Sequence, residues 1–179
     1  MSKYFALSVT VIALLAVQSQ CQMAKPVFGP ELAKLSFLTG HFSTQTKVYM
    51  DPNSGEPIVG SGTSTLRWGL DSMFVFLDAT ENNPGLGQYK GFGILGYESR
   101  SGKYVLTMYN NFGDRPEYTG AFSGDTLTMS SNISTPEGPF VQSLKWFKEG
   151  NNVRLQVFND MGQGSMLSID QIATPLSDK

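Results

Sequence analysis

The chain has 179 residues, of which 40% are hydrophobic and 16% charged, and its formal net charge is -2. This length and hydrophobic content suit one globular domain with a buried core. The slightly acidic balance leaves no large basic surface, so nucleic-acid binding is not expected. The 12 Phe, 7 Tyr and 19 Gly residues favour an all-β chain over a helical one.

Residues 1–19 are typical of a secretory signal peptide. One lysine precedes an uncharged apolar run from Phe5 to Val17, which is too short to span a bilayer and is followed by Gln18-Ser19-Gln20. We expect cleavage after Ser19, and therefore a secreted or periplasmic protein with no transmembrane segment after leader removal. Residues 20–30 are polar, contain two prolines and are predicted to form a flexible tail.

Cys21 is the only cysteine of the sequence, so an intrachain disulfide cannot form. A cysteine just after an apolar leader is also a position for a lipid anchor. The preceding Gln18-Ser19-Gln20 lacks the small residues and the leucine expected there, so a free thiol on the tail is the interpretation we prefer. Asn132-Ile133-Ser134 is a glycosylation sequon, with meaning only in a eukaryotic source.

From residue 31 onward the pattern predicts one short helix and then about ten strands. Leu32, Leu35 and Leu38 have helical spacing, with Pro30 suited to the first turn and Gly40 to the end. Residues 81–88 and 134–138 are expected to be loops. The strands follow one another closely, and turn residues separate most of them: 41–50, 58–68, 72–79, 90–98, 103–110, 117–122, 126–132, 140–146, 153–157 and 164–173.

Short strands joined by turns predict an antiparallel meander. Closure of a long meander into an up-and-down barrel removes its unpaired edges. We therefore expect residues 31–175 to form one all-β barrel domain that carries a short N-terminal helix.

The segment Gly91 to Gly96 reads GFGILG and matches the dinucleotide-binding pattern G-x-G-x-x-G. That site needs a helix directly after the third glycine, so that its N–H groups face the phosphates. Residues 97–102 have no apolar helical repeat and end in a turn, so we expect no nucleotide cofactor. The glycines are better explained as positions where the strand bends or leaves interior space.

The same segment resembles a known family. Lys90 to Glu98, followed by a turn and residues 103–105, is similar to the G-x-G-x-x-G-Y-D … K-Y signature of the DUF1579 family, whose function is unknown. Residues 35–42 resemble its L-x-x-L-x-G-x-W opening, and residues 68–75 its middle strand. The resemblance implies a calycin or lipocalin-like barrel with a helix plugging one end, and implies no activity. The sequence departs from the family pattern at three places: Phe42, Glu98 and Met108-x-Asn110.

Barrels of eight to ten strands are either filled by side chains or hold one small apolar ligand. We expect a secreted or periplasmic, non-enzymatic barrel that binds a small hydrophobic or amphipathic molecule, without a cofactor. The expected apolar cavity residues are Phe74, Phe76, Phe92, Ile94, Tyr104, Leu106, Met108, Phe140, Leu144 and Trp146. The polar residues expected to orient the ligand or to lie at the mouth are Arg67, Tyr97, Asn110 and His41.

Two alternatives remain open at this point. An enzyme could use the same cavity, with His41 or a carboxylate as acid or base, although the sequence assigns no catalytic residue. A solidly packed barrel could instead act as an envelope protein whose loops meet a partner. No Cys/His cluster predicts a metal site, and the oligomeric state is not predicted.

Overall fold

A computed structural model describes residues 29–50, 56–136 and 138–177. The leader predicted over residues 1–19, nearly all of the predicted tail and Cys21 lie outside the described residues. The ten strands are β1 (Gly40–Val48), β2 (Ile58–Gly69), β3 (Phe74–Asn83), β4 (Gly87–Glu98), β5 (Lys103–Asn110), β6 (Glu117–Ser123), β7 (Thr126–Thr135), β8 (Gly138–Glu149), β9 (Asn152–Asp160) and β10 (Ser165–Pro175).

A short helix precedes the strands, as the leucine spacing predicted. Helix α1 (Pro30–Ala33) begins with proline at its first position and continues into a 3₁₀ helix over Lys34–Leu38. All three leucines of the predicted repeat are at most 4% exposed. They close one end of the barrel, which we call the closed end. None of the helices in the described part of the chain is long and apolar enough to cross a membrane.

The strands form a closed antiparallel barrel in which every strand pairs with its neighbours in sequence and β1 pairs with β10. At the seam, Phe42 lies opposite Pro175, and the Leu176 N–H donates to the His41 carbonyl at 2.8 Å. The hairpins that join odd to even strands lie at the end opposite the helix, which we call the mouth. The expected all-β up-and-down barrel is therefore confirmed.

The interior changes character along the barrel axis because side chains alternate between the two faces of each strand. Near the closed end, inward-facing residues such as Val75, Leu95, Leu127 and Met129 are at most 2% exposed. They pack with the three helix leucines into one hydrophobic cluster. Toward the mouth the inward positions are more often polar or glycine.

Two hairpins are tighter than the sequence predicted. Strand β3 runs to Asn83 and β4 begins at Gly87, so most of the loop expected over residues 81–88 is strand. Strand β7 likewise reaches Thr135, opposite Gly138 at the start of β8. Polar residues do not end these strands, because the hairpin ladder satisfies their backbone groups and some of their side chains point into a polar part of the interior.

The glycines of GFGILG lie inside β4, and no helix follows them. Gly91 and Gly93 face the interior, where an added Cβ at Gly93 would lie 2.5 Å from the Met108 sulfur. Gly96 faces outward beneath the Phe74 ring, with 2.7 Å between an added Cβ and the nearest ring carbon. Gly91 and Gly93 thus leave space in the interior, which is one of the roles expected for them, whereas Gly96 leaves space for the Phe74 ring on the outer face.

Candidate ligand cavity

The barrel encloses a cavity of about 1090 Å³ that opens at the mouth. Leu38 of the 3₁₀ helix and Phe42 of β1 lie at its floor, next to the closed end. Leu86 and the segment from Asp114 to Glu117 border it at the mouth. The helix therefore closes one end of a chamber whose other end faces loops.

The deep part of the cavity is apolar. Its walls come from inward-facing positions on strands all around the barrel, since each strand contributes one residue in two to the interior. These residues include Leu66, Leu77, Leu106, Leu144, Trp146, Val153, Leu155, Val157 and Ala173.

Nearer the mouth the wall carries a ring of polar side chains. We call this ring the polar belt and define it as Thr46, Glu81, Tyr118, Ser131, Gln142 and Gln171, all of which line the cavity. Glu81 and Thr46 each lie two residues from the mouth end of their strands. An apolar floor below a polar belt gives the chamber an amphipathic character.

Glu81 is the charged side chain of the belt, and it is 4% exposed. Its Oε1 accepts hydrogen bonds from the Thr44 hydroxyl at 2.5 Å and from the Gln171 amide at 3.0 Å. Its Oε2 accepts one from the Thr46 hydroxyl at 3.1 Å. Burial raises the pKa of the Glu81 carboxyl, while the two threonine hydroxyls act in the opposite direction.

A second polar group faces the cavity from β6 and β8. The Tyr118 hydroxyl donates to Gln142 Oε1 at 2.5 Å, and Gln142 Nε2 donates to Asn159 Oδ1 at 2.9 Å. Burial raises the pKa of Tyr118 to about 12, so its hydroxyl remains a neutral donor at physiological pH. The chain of bonds fixes the direction in which each amide points.

The mouth has one basic and two acidic side chains among its lining residues. Asp114 and Arg115 lie in the loop that leads from β5 to β6, and Glu117 is the first residue of β6. Asn110 holds this loop, because its Oδ1 accepts the N–H groups of Phe112 and Asp114, each at 3.0 Å. Burial raises the pKa of Tyr89, and the nearby charges of Asp114 and Glu81 act in the same direction.

Some residues expected in the cavity do line it. Met108 and Trp146 are among the lining residues, as is Asn110 at the mouth. Three further expected wall residues, Leu106, Phe140 and Leu144, lie there as well. That any of these side chains contacts a ligand stays a prediction.

Four expected cavity residues lie on the outer face of the barrel, which corrects their expected placement. Phe74 and Phe92 are each 37% exposed, and Phe76 and Ile94 alternate with inward-facing neighbours. The Phe76 and Phe92 rings contact each other across two strands, with centroids 6.3 Å apart. Apolar character suggested an inward position, but β3 and β4 are apolar on both faces, so hydrophobicity did not identify the inner one.

Three other expected residues, Tyr104, Tyr97 and Arg67, also lie away from the cavity. Tyr104 is only 2% exposed, and its hydroxyl donates to the Glu31 carbonyl at 2.8 Å, so it fastens the helix at the closed end. The Tyr97 ring packs on it with centroids 5.1 Å apart. The Arg67 guanidinium lies on the outer face, 5.3 Å from the centre of the Phe76 ring.

His41 is exposed near the closed end, not at the mouth where the sequence suggested it. Its Nδ1 lies 3.0 Å from the Thr65 hydroxyl. Since β1 runs from the closed end toward the mouth, its first residues are necessarily far from the mouth. This position does not bring His41 to the cavity.

The belt residues were missed by sequence reasoning, although a signal for Glu81 was present. Val75, Leu77, Ala79 and Glu81 are spaced two apart and share one face of β3. A carboxylate that continues an apolar face is a candidate for burial. Because residue 81 was expected to begin a loop, Glu81 was not assigned to that face. No group of three His, Cys, Asp or Glu side chains able to hold a metal occurs within the described residues.

Comparisons with known proteins agree with this architecture. Residues 29–169 match the sequence model of the DUF1579 family, which is described as "Protein of unknown function". The chain belongs to the DUF1579 family. Among solved structures, the barrel resembles one titled "Crystal Structure of Rv2717c from M. tuberculosis", with a TM-score of 0.60 and 14% identity over 84% of this chain and 100% of that chain. This likeness supports the fold. No curated protein matches the sequence.

Proposed function

We propose that this DUF1579 member is a non-enzymatic binding protein that holds a small hydrophobic or amphipathic molecule inside its barrel. The observation that carries the proposal is the cavity of about 1090 Å³, open at the mouth. Binding sites for small molecules commonly measure about 300–1,000 Å³ and are mostly apolar with a few polar groups. Protein interiors are normally close-packed, so a barrel that holds no ligand is expected to be filled by its own side chains.

The distribution of side chains supports an amphipathic ligand. Apolar residues line the deep part, and the polar belt lies between them and the mouth. A ligand that enters with its apolar part first would bury that part on the floor, at about 25 cal/mol for each Å² removed from water. Its polar end would then meet the belt, whose hydrogen-bonding groups are already oriented by one another.

Export belongs to the proposal and rests on the apolar leader of residues 1–19, which the structure does not describe. In that case the ligand is taken up outside the cytoplasm. The intact mass of the protein isolated from its source tests this point, since cleavage after Ser19 removes a defined mass. A mass that includes the leader would contradict export.

Titration with a neutral fluorescent probe, N-phenyl-1-naphthylamine, tests binding directly. We expect saturable binding at one site. Ala79 lines the cavity on β3, and Thr80 is the next residue on the outer face. The variant Ala79→Trp fills part of the chamber and should weaken probe binding about tenfold or more, whereas Thr80→Trp adds the same side chain outside and should leave binding unchanged.

Two results would overturn the proposal. One is the absence of saturable probe binding by the unmodified protein. The other is equal binding by the two tryptophan variants, which would place the probe on the outer surface. Far-UV circular dichroism confirms that both variants are folded, and native mass spectrometry of the protein from its source identifies a retained ligand.

A further inference from the structure

Glu81 has an acceptor position that its protein neighbours do not fill. A carboxylate offers about four lone-pair positions, two on each oxygen. Oε1 accepts from Thr44 and Gln171, but Oε2 accepts only from Thr46, at 3.1 Å. The Gln171 amide also donates to the Thr46 hydroxyl at 2.9 Å, so two of the groups that bond to the carboxyl are bonded to each other. One acceptor position on Oε2 is therefore not filled by any described residue, and Glu81 lines the cavity.

Glu81 also has no positively charged partner within the described residues. Among the described residues, the ion pairs join Lys34 to Glu31, and Arg154 to Glu149 and Asp170, and none includes Glu81. A buried carboxylate without a cation is costly, because burial removes the water that would stabilise its charge. As expected from this cost, burial raises the pKa of the Glu81 carboxyl.

The charged groups of the cavity wall are mostly acidic. Glu81, Asp114 and Glu117 carry carboxyl groups, and Arg115 is the one basic side chain among the lining residues that the structure describes. A ligand with a carboxylate would bring another negative charge toward Glu81, and like charges repel strongly where water is excluded. A ligand with a cation would be attracted to the mouth and then to the belt.

We propose that the ligand is a cationic amphiphile whose apolar body lies on the cavity floor and whose ammonium group donates to Glu81 Oε2. This inference rests on the proposed binding function and specifies the chemical class of the ligand. An ammonium carries three N–H donors. One can bind the open position of Glu81, and the others can reach belt acceptors or water at the mouth. The ligand thus supplies a counter-charge that none of the described residues provides.

Competition between matched ligands tests the proposal. Dodecylamine, dodecanol and dodecanoate share one apolar chain and differ in the charge of the head at neutral pH. Each is titrated, below its micelle concentration, against the bound neutral probe. We expect the amine to displace the probe at about one-tenth of the concentration of the alcohol, a difference of about 1.4 kcal/mol, and the carboxylate to be weaker than the alcohol.

The variant Glu81→Gln locates the effect. It keeps the shape of the side chain and removes the charge, so the amine should lose its advantage, while the alcohol should bind within about twofold of its original affinity. Glu98→Gln is the matched control, because Glu98 is exposed at the end of β4 and does not line the cavity. It should leave the order of the three ligands unchanged.

The outcomes separate this inference from the proposed function. Failure of every ligand and of the probe to bind overturns the proposed function. Binding of the alcohol or the carboxylate with no preference for the amine overturns only the cationic class. An amine preference that survives Glu81→Gln assigns the preference to the mouth and overturns the role of Glu81. The comparison of ligands on the unmodified protein decides the class even if the variant does not fold.

Discussion

Leu35 offers a sharp test of whether the helix is part of the barrel's cooperative structure. Its side chain is 0% exposed and packs in the hydrophobic cluster at the closed end. Leu35→Ala removes three carbons, and at about 0.8 kcal/mol for each buried carbon the transfer cost is about 2.4 kcal/mol. The space left behind adds to this cost, because a packed site relaxes only in part. We therefore expect Leu35→Ala to lower the free energy of unfolding by about 3 kcal/mol.

Urea unfolding followed by tryptophan fluorescence measures this change. Trp146 is a suitable reporter because it is 6% exposed inside the barrel, remote from the substitution in sequence. For a chain of this size the expected destabilisation corresponds to a fall in Tm of about 6–12 °C. Ser36→Ala is the control, since Ser36 is exposed on the same 3₁₀ helix and its truncation should change the free energy by less than about 0.5 kcal/mol.

The reasoning fails if Leu35→Ala costs less than about 1 kcal/mol, because the helix would then be docked too loosely to count as the floor of the barrel. A fall in the urea m-value without a shift in midpoint would also contradict it, since that change reports a different unfolded or native compactness. Leu35 is not among the cavity-lining residues, so probe binding by the folded variant should be unchanged.

Two further predictions concern the strands. Arg154 donates to the largely buried Asp170 at 2.8 and 2.6 Å and thereby lowers the pKa of that carboxyl, so Arg154→Met should cost about 2 kcal/mol at neutral pH. Because the pKa of Asp170 is lower in the folded protein than its ordinary value of 3.8, this loss of stability should shrink as the pH falls below 3.8. Urea midpoints that show the same loss at about pH 3 would contradict a stabilising role of the Arg154–Asp170 ion pair. An added Cβ lies 2.5 Å from a flexible methionine sulfur at Gly93 but 1.9 Å from a backbone oxygen of β7 at Gly120. Gly93→Ala should therefore change stability by less than about 1 kcal/mol and Gly120→Ala cost at least about 2 kcal/mol, and thermal unfolding that reverses this order would refute the steric argument.

The architecture was predictable because it depends on signals that each strand carries locally. Alternation, turn residues at short intervals and the leucine spacing at residues 32–38 together predict ten antiparallel strands and one helix. Closure follows from the disadvantage of unpaired edges, which holds for any long meander. These features need no knowledge of which strand meets which across the interior.

The inner and outer faces were harder to predict, because alternation defines two faces without saying which is inside. In β4 the inward face carries Gly91 and Gly93, and the large Phe92 points outward. Interior space in this region is taken by side chains from neighbouring positions, including Tyr89 and Met108. Only the three-dimensional register shows that a long side chain occupies the space left by a neighbouring glycine.

Glu81 was hidden for a different reason. Its partners Thr44, Thr46 and Gln171 belong to the first and last strands, which meet only when the barrel closes. A polar group so far from its partners in sequence resembles an ordinary loop carboxylate. The local pattern of β3 could nevertheless have shown that residue 81 continues the face of Val75, Leu77 and Ala79.

The seam between β1 and β10 has a practical consequence for handling the molecule. Residues 29 and 177 both emerge beside the helix, since β1 starts and β10 finishes at that end. A purification handle, a sensor surface or a fusion partner attached at either side of the described chain would thus hold the barrel by its base. The opening would face the solution, so immobilised protein should remain accessible to ligands from the opposite pole.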